Sequence, residues 1–99
     1  MAGFIQIIEI QTSRIEEVRS LGEQMRDVSN EGSTVQRGTY TQDLDRPGYY
    51  LSIVEFESRQ SAQQNSDRPE TAQFAAQLAQ LCDAPPKFYN LEVLDTFKR

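Results

Sequence analysis

The chain has 99 residues, of which 37% are apolar, and this length suits one domain with a modest core. Fifteen acidic residues outweigh ten basic ones and give a formal charge of -5, which argues against a nucleic acid partner, because binding to a phosphate backbone requires a concentrated basic surface. Histidine and tryptophan are both absent, which excludes Ser-His-Asp and Cys-His nucleophile systems, His-ligated zinc and haem held by an imidazole.

The first half of the chain predicts a strand, a helix and a hairpin. Residues 4–11 are dense in isoleucine and contain no turn residue, which is typical of a buried strand. A helix follows from Ser13, with apolar residues at three- and four-residue steps and a closing Asn-Glu-Gly at 30–32. Residues 35–43 and 49–56 then predict two paired strands, because they are rich in Val, Thr, Tyr and Ile and flank a turn that contains Pro47 and Gly48.

The second half repeats the first. Residues 53–58 read almost like residues 7–12, since each segment is an apolar strand that runs into a polar helix start. A second helical region begins at Ser58, breaks near 65–67, restarts at Pro69 and ends at Pro85, and residues 88–97 predict a last strand. The order βαββαβ predicts a ferredoxin-like α+β fold: one domain over residues 1–99, with a four-stranded antiparallel sheet and its helices on one face.

Alternation along the strands divides their residues between two faces of the sheet. The odd positions are aliphatic, and we expect them to pack beneath the helices; they are Ile5, Ile7, Leu51, Ile53, Leu91 and Val93. The even positions mix aromatic, apolar and polar residues, so we expect a second copy of the chain to cover them, sheet face against sheet face, in a dimeric α+β barrel. The interior of that barrel is then either a small-molecule cavity or a core filled by its own side chains.

We expect a cytoplasmic protein with no membrane partner. The single Cys82 cannot form an internal disulfide, and the first residues lack the charged flank and long apolar run of a signal peptide. No apolar stretch approaches the ~20 residues of a membrane span. Asp43 and Asp45 lack the further ligands of a metal site, so neither a metal nor a cofactor is predicted.

A diffuse motif along the second half of the chain resembles a known family. It comprises Ser58-Arg59-Gln60-Ser61-Ala62, Asn65, Arg68-Pro69-Glu70, Phe74-Ala75-Ala76 and Asp83-Ala84-Pro85-Pro86. With these residues the chain resembles the antibiotic biosynthesis monooxygenase-like (ABM) group of dimeric α+β barrel proteins. The resemblance implies a cofactor-independent monooxygenase, an oxidoreductase acting on a small aromatic or polyketide-type substrate whose own phenolate gives an electron to dioxygen. The haem-degrading branch of the group does not fit, because its axial histidine is missing. The alternative is a non-catalytic homodimer that binds a small ligand or is purely structural.

Candidate site residues lie on the even face and at the helix break. We expect Tyr40 to donate or shuttle a proton and Asn65 to hold a substrate oxygen or oxyanion. The predicted substrate-binding residues are Gln6, Tyr50, Ser52, Phe56 and Asn90. Structural alternatives stay open for them: Asn65 could shape the helix break, the strand residues could be satisfied structural polar groups, and the tyrosines could be wall. Arg37 is the one basic residue that the pattern allows in the cavity, but a surface ion pair is the favoured interpretation.

Overall fold

The computed structural model describes residues 3–28 and 33–98. Its elements in chain order are β1 (Phe4–Gln11), α1 (Ile15–Val28), β2 (Val35–Gln42), β3 (Tyr49–Phe56), α2 (Arg59–Ser66), α3 (Pro69–Leu81) and β4 (Lys87–Glu92). This confirms the predicted order, with the second helical region divided at the predicted break. The Asn-Glu-Gly signal at 30–32 lies outside the described residues.

The four strands form one antiparallel sheet in the order β2-β3-β1-β4. The first strand and the third, which carry the repeated segments, are neighbours at its centre, where Ile7 lies opposite Ile53. This is the predicted ferredoxin-like α+β arrangement. The last strand is shorter than predicted and ends at Glu92, because that residue already pairs with Phe4 at the start of β1. Beyond it the Val93 amide donates to the Gly3 carbonyl at 3.1 Å, and residues 93–98 have no regular structure.

Local chemistry explains where several elements begin. The Ser58 hydroxyl accepts a hydrogen bond from the Ser61 amide and caps α2, and Pro69 occupies the first position of α3, where no amide donor is needed. Gly48 adopts a φ of +86° at the end of the β2–β3 turn, a conformation that favours glycine. The starts of α2 and α3 and the end of the β2–β3 turn therefore follow from residue types that can be read in the sequence.

Thr12, at the junction between β1 and α1, joins three parts of the molecule. Its amide donates to the Gly48 carbonyl at 2.9 Å, and its hydroxyl donates to the Leu81 carbonyl at 2.7 Å while accepting from the Arg14 amide at 2.9 Å. The side chain is buried with every polar atom in use. The end of the β2–β3 turn and the end of α3 are therefore both held against the end of β1.

The two faces of the sheet are the reverse of the prediction. Even-numbered residues lie beneath the helices: the rings of Phe4 and Phe56, 6.4 Å apart, pack with Ala62 of α2 and with Val54. Under α1, Gly22 lies against Tyr40. These small helical residues leave room for aromatic rings, and odd-numbered Glu9 and Glu55 would have been costly to bury there without a partner.

The odd-numbered residues form the open face, which we define as the sheet surface that no helix covers. Its aliphatic centre consists of Ile5, Ile7, Leu51 and Ile53, all half-buried. The expected helix-facing surface is thus the exposed one. None of the described helices is long and apolar enough to cross a membrane.

Candidate functional site

A narrow groove lies between the sheet and helices α1 and α3, and we call it the helix-sheet groove. Its volume is about 70 Å³. It is lined by Ile8, Ile10, Ile15, Val18, Arg19, Gly22, Tyr40, Thr41, Leu51, Ser52, Phe74 and Leu78. The wall is mostly apolar with a few polar groups, which is the usual composition of a ligand site, but the volume is well below the ~300 Å³ at which such sites begin.

Helix α1 leaves the groove open through its residue spacing. Ile15, Val18 and Gly22 recur at steps of three and four, so they share the side of the helix that faces the sheet. Gly22 has no side chain, and a Cβ atom built on it would lie 3.6 Å from the Tyr40 hydroxyl. The Tyr40 ring, on edge strand β2, is still 64% exposed. Tyr40 therefore stands at the mouth of the groove.

Four polar residues line the groove: Tyr40, Thr41, Ser52 and Arg19. The Thr41 hydroxyl donates to the Leu51 carbonyl at 2.7 Å, so Tyr40, Ser52 and Arg19 supply the remaining polar groups. Tyr40 and Ser52 are cross-strand partners on β2 and β3. Such a set can hold a substrate oxygen and donate a proton to it while the apolar wall excludes water.

Two of the predicted site residues, Tyr40 and Ser52, come together in the groove. Gln6 and Asn90 are paired elsewhere, across β1 and β4, where the Gln6 amide nitrogen donates to the Asn90 amide oxygen at 3.1 Å. Phe56 is 1% exposed and belongs to the core beside Phe4 rather than to the groove wall. The structure therefore divides the predicted substrate-binding set.

Asn65 and Tyr50 also lie outside the groove lining. Asn65, in α2, accepts a hydrogen bond of 3.5 Å from the Ser33 hydroxyl, ahead of β2. Tyr50 is opposite Ile10 in the β1–β3 ladder. A structural contact thus accounts for the Asn65 amide, and its role toward a substrate stays a prediction.

The basic residue at the groove is Arg19, whereas Arg37 forms the surface ion pair that the sequence favoured. Arg37 lies on the open face, where its side chain is 76% exposed and 3.7 Å from the Glu55 carboxylate. Sequence reasoning missed Arg19 because a charged residue beside an apolar stripe is usually solvated. The spacing did contain a signal, since position 19 falls between Ile15 and Gly22 on the same side of α1.

A polar cluster, formed by Glu9, Asp43, Arg46, Lys87 and Tyr89, borders the open face. Arg46 donates to Asp43 at 2.8 Å and to Glu9 at 3.1 Å, and the Tyr89 hydroxyl donates to Glu9 at 3.4 Å. The hydrogen bond from Arg46 holds the pKa of Asp43 below its ordinary value and raises that of Arg46. The pKa of Lys87 is raised by Tyr89, whose ring lies under the ammonium group at 5.1 Å. The cluster is satisfied internally, which suits a structural role.

The described residues contain no group of three Cys, Asp or Glu side chains placed to bind a metal ion. Cys82 follows α3 and is half-buried; burial raises the pKa of its thiol, with a smaller effect from the Asp83 carboxylate. A raised pKa keeps the thiol protonated at neutral pH, which is unfavourable for a nucleophile. Neither feature provides a second reactive centre.

Comparisons with known proteins identify the fold. No family model and no curated protein matches the chain. A conserved protein from Methanosarcina mazei Go1 is similar in structure, with a TM-score of 0.80, 13% identity and 93% of each chain covered. Rv0793 from Mycobacterium tuberculosis gives a TM-score of 0.80 and 16% identity over 98% of this chain and 100% of that one.

A structure described as a "putative antibiotic biosynthesis monooxygenase" from Deinococcus radiodurans is also similar, with a TM-score of 0.78, 15% identity and 97% of each chain covered. Such identities are informative about backbone arrangement and not about chemistry. The chain has the ferredoxin-like α+β fold of structures that carry the antibiotic biosynthesis monooxygenase name.

Proposed function

We propose that the protein is a cofactor-independent monooxygenase of the ABM type that acts on a small aromatic substrate in the helix-sheet groove. The observation that supports this most is the pairing of Tyr40 and Ser52 on an otherwise apolar wall beneath α1 and α3. Proteins of the same fold bear the monooxygenase name. The resemblance of residues 58–86 to that family points the same way.

Because the substrate supplies the electrons itself, the protein has to bind it, orient it and donate a proton. A phenolate ring carbon that carries one hydrogen gives an electron pair to dioxygen and forms a C–O bond, and the peroxide oxygen takes up a proton. The resulting hydroperoxide then loses water, formed from the hydrogen on that carbon and the outer OH group, to leave a carbonyl, so one oxygen atom stays in the product and the other leaves as water. The groove orients the ring and excludes solvent, and the Tyr40 hydroxyl donates the proton that the peroxide oxygen requires. Ser52 holds the phenolate oxygen in place.

Groove size sets the substrate class. At about 70 Å³, the groove is smaller than the 150 Å³ engineered cavity that holds benzene, so a ring enters only as Tyr40 turns outward. Tyr40 is free to do so because most of its side chain is exposed. We therefore propose a one-ring substrate, such as a quinol, rather than a fused polycyclic one.

Oxygen uptake with a panel of one-ring quinols and anthrones tests this function. We expect uptake by the wild type, and a loss of 10²-fold or more in Tyr40→Phe, the lower end of what a positioned proton donor contributes. Tyr89→Phe on the open face is the matched control and should behave as the wild type. Asn65→Ala tests the other predicted catalytic residue. No uptake with any substrate, or equal rates in the two tyrosine variants, would refute the proposal.

A second candidate function, favoured by a different observation, is a non-catalytic homodimer. The open face has an aliphatic centre and carries charges of both signs, with Arg46 beside Glu9 and Arg37 beside Glu55. A second copy can therefore place charges of opposite sign against each other on this face, as a self-complementary, isologous interface requires. Dimerisation through the open face is compatible with either function, since the groove opens on the other side of the sheet.

A further inference from the structure

The helix-sheet groove carries one charge. Of its twelve lining residues, only Arg19 is charged, while the remainder are apolar or neutral polar groups. Arg19 lines the groove and is also exposed, so this residue lies at the mouth rather than in the interior. A ligand that fills the groove would therefore have its outer end near a cation.

The charge of Arg19 is not neutralised within the described part of the chain. The ion pairs there involve Arg14, Arg37, Arg46 and Arg68, and no carboxylate lies within 4.0 Å of the Arg19 guanidinium. Glu16 and Glu23 stand three and four residues away on α1, yet neither closes on it. The guanidinium thus keeps its donors available for an incoming group.

Guanidinium groups are suited to carboxylates because they donate two parallel hydrogen bonds in a fixed plane, and a charge-assisted bond of this kind is about twice as strong as a neutral one. The chain as a whole is negative at -5, so its overall field repels anions. Any preference of the groove for an anion must then come from the local Arg19 charge, and removing that charge should abolish the preference.

We propose that Arg19 selects the ligand of the helix-sheet groove, which is an aromatic ring that bears a carboxylate at its outer end, whose charge pairs with the guanidinium. This rests on the proposed function in that it uses the same groove. It adds a carboxylate on the ligand, separate from the phenolate oxygen assigned to Ser52. Arg19 is accordingly a specificity residue and takes no part in bond making.

Benzoate and benzamide form the test pair, because they share size and shape and differ in charge. Binding is followed by NMR of labelled isoleucine methyl groups, with Ile8, Ile10 and Ile15 reporting from the groove wall. Wild type, Arg19→Gln and Arg26→Gln are compared. Arg26 is an exposed arginine of the same helix that does not line the groove, so it is the matched control.

We expect the wild type and Arg26→Gln to bind benzoate about tenfold more tightly than benzamide, a factor that corresponds to one good charge-assisted hydrogen bond. Arg19→Gln should bind the two equally, and added salt should weaken benzoate binding alone. Equal binding in the wild type, a preference kept by Arg19→Gln, or no methyl shifts with either ligand overturns the inference. Anion-selective binding without oxygen uptake would leave it standing and refute the enzyme proposal instead.

Discussion

A lysine at the centre of the open face should separate the proposed dimer into folded monomers. Ile53 lies opposite Ile7 on β1 and opposite Thr39 on β2, so it occupies the middle of the surface that the second copy would cover. In an isologous interface each substitution occurs twice. Full burial of an isoleucine side chain contributes about 1.5–3 kcal/mol, and Ile53 is already half-buried in the single chain, so Ile53→Lys removes about 1.5–3 kcal/mol per dimer before any cost of desolvating the two charges.

That loss raises the dissociation constant about 10- to 10²-fold, and desolvation of the two charges raises it further. The fold of each chain should survive, because the buried core of Phe4, Phe56 and Ala62 is on the other side of the sheet. Light scattering at micromolar concentration should give twice the chain mass of 11.3 kDa for the wild type and the single mass for the variant. Ala75→Lys, on the exposed surface of α3, adds the same charge and should remain dimeric. A monomeric wild type, or a dimeric Ile53→Lys, would refute the assignment of this face to a second copy.

Three further outcomes follow from the described contacts. Phe56→Ala should lower the free energy of unfolding by about 3–5 kcal/mol, measured by urea denaturation, since it empties a buried site; a loss below 1 kcal/mol would contradict its place in the core. Gly22→Ala should raise that free energy by about 1 kcal/mol, because alanine favours the helix and its Cβ would meet Tyr40 at an ordinary 3.6 Å; a destabilised variant would show that the groove is tighter than described. Arg46→Gln should raise the pKa of Asp43 in an NMR titration. Because the folded pKa is lowered, Asp43 contributes to stability above its unfolded pKa, and this contribution disappears as the pH falls through the folded value. If the free energy of unfolding falls at acid pH in the same way in Arg46→Gln as in the wild type, Arg46 is not the cause of the lowered pKa.

The order of elements could be predicted because each boundary has a local cause. Residue type alone indicates the conformations that the folded chain has at three positions: the helix cap at Ser58, the first helical position at Pro69 and the positive φ at Gly48. The end of β4 could not be predicted this way. Residues 93–97 include Val, Thr and Phe, which favour strands, but their pairing depends on where β1 starts, which is a property of the partner strand.

The assignment of faces failed because both central strands are apolar on both sides. Aliphatic content favoured the odd positions as the helix-facing set, but two features indicated that the even positions face the helices. Glu9 and Glu55 are odd, and a carboxylate beneath a helix is costly unless it is paired. On the helices, Gly22 and Ala62 are small enough to receive the aromatic rings of the even face. The match between small helix residues and large sheet residues therefore predicts the helix-facing side better than aliphatic content does.

The sequence could place candidate residues side by side only where they share one face of adjacent strands. Tyr40 and Ser52 share even numbers and a ladder position, so their meeting follows from alternation and register. Asn65 was selected for its place at a helix break, which says nothing of where its side chain points. Arg19 belongs to a different element, and its place in the groove lining depends on how α1 packs on the sheet.

The central position of β1 has a consequence for the way the chain is made. Translation produces β1 first, yet its two neighbours are β3 and β4, and β4 is the last strand of the chain. Until residues 87–92 have been synthesised, one edge of an isoleucine-rich strand lacks its ladder partner, the condition in which strands join wrong neighbours. Pairing across such sequence distances also slows folding. A nascent chain stalled before residue 87 should therefore aggregate or recruit chaperones, whereas the released chain should not.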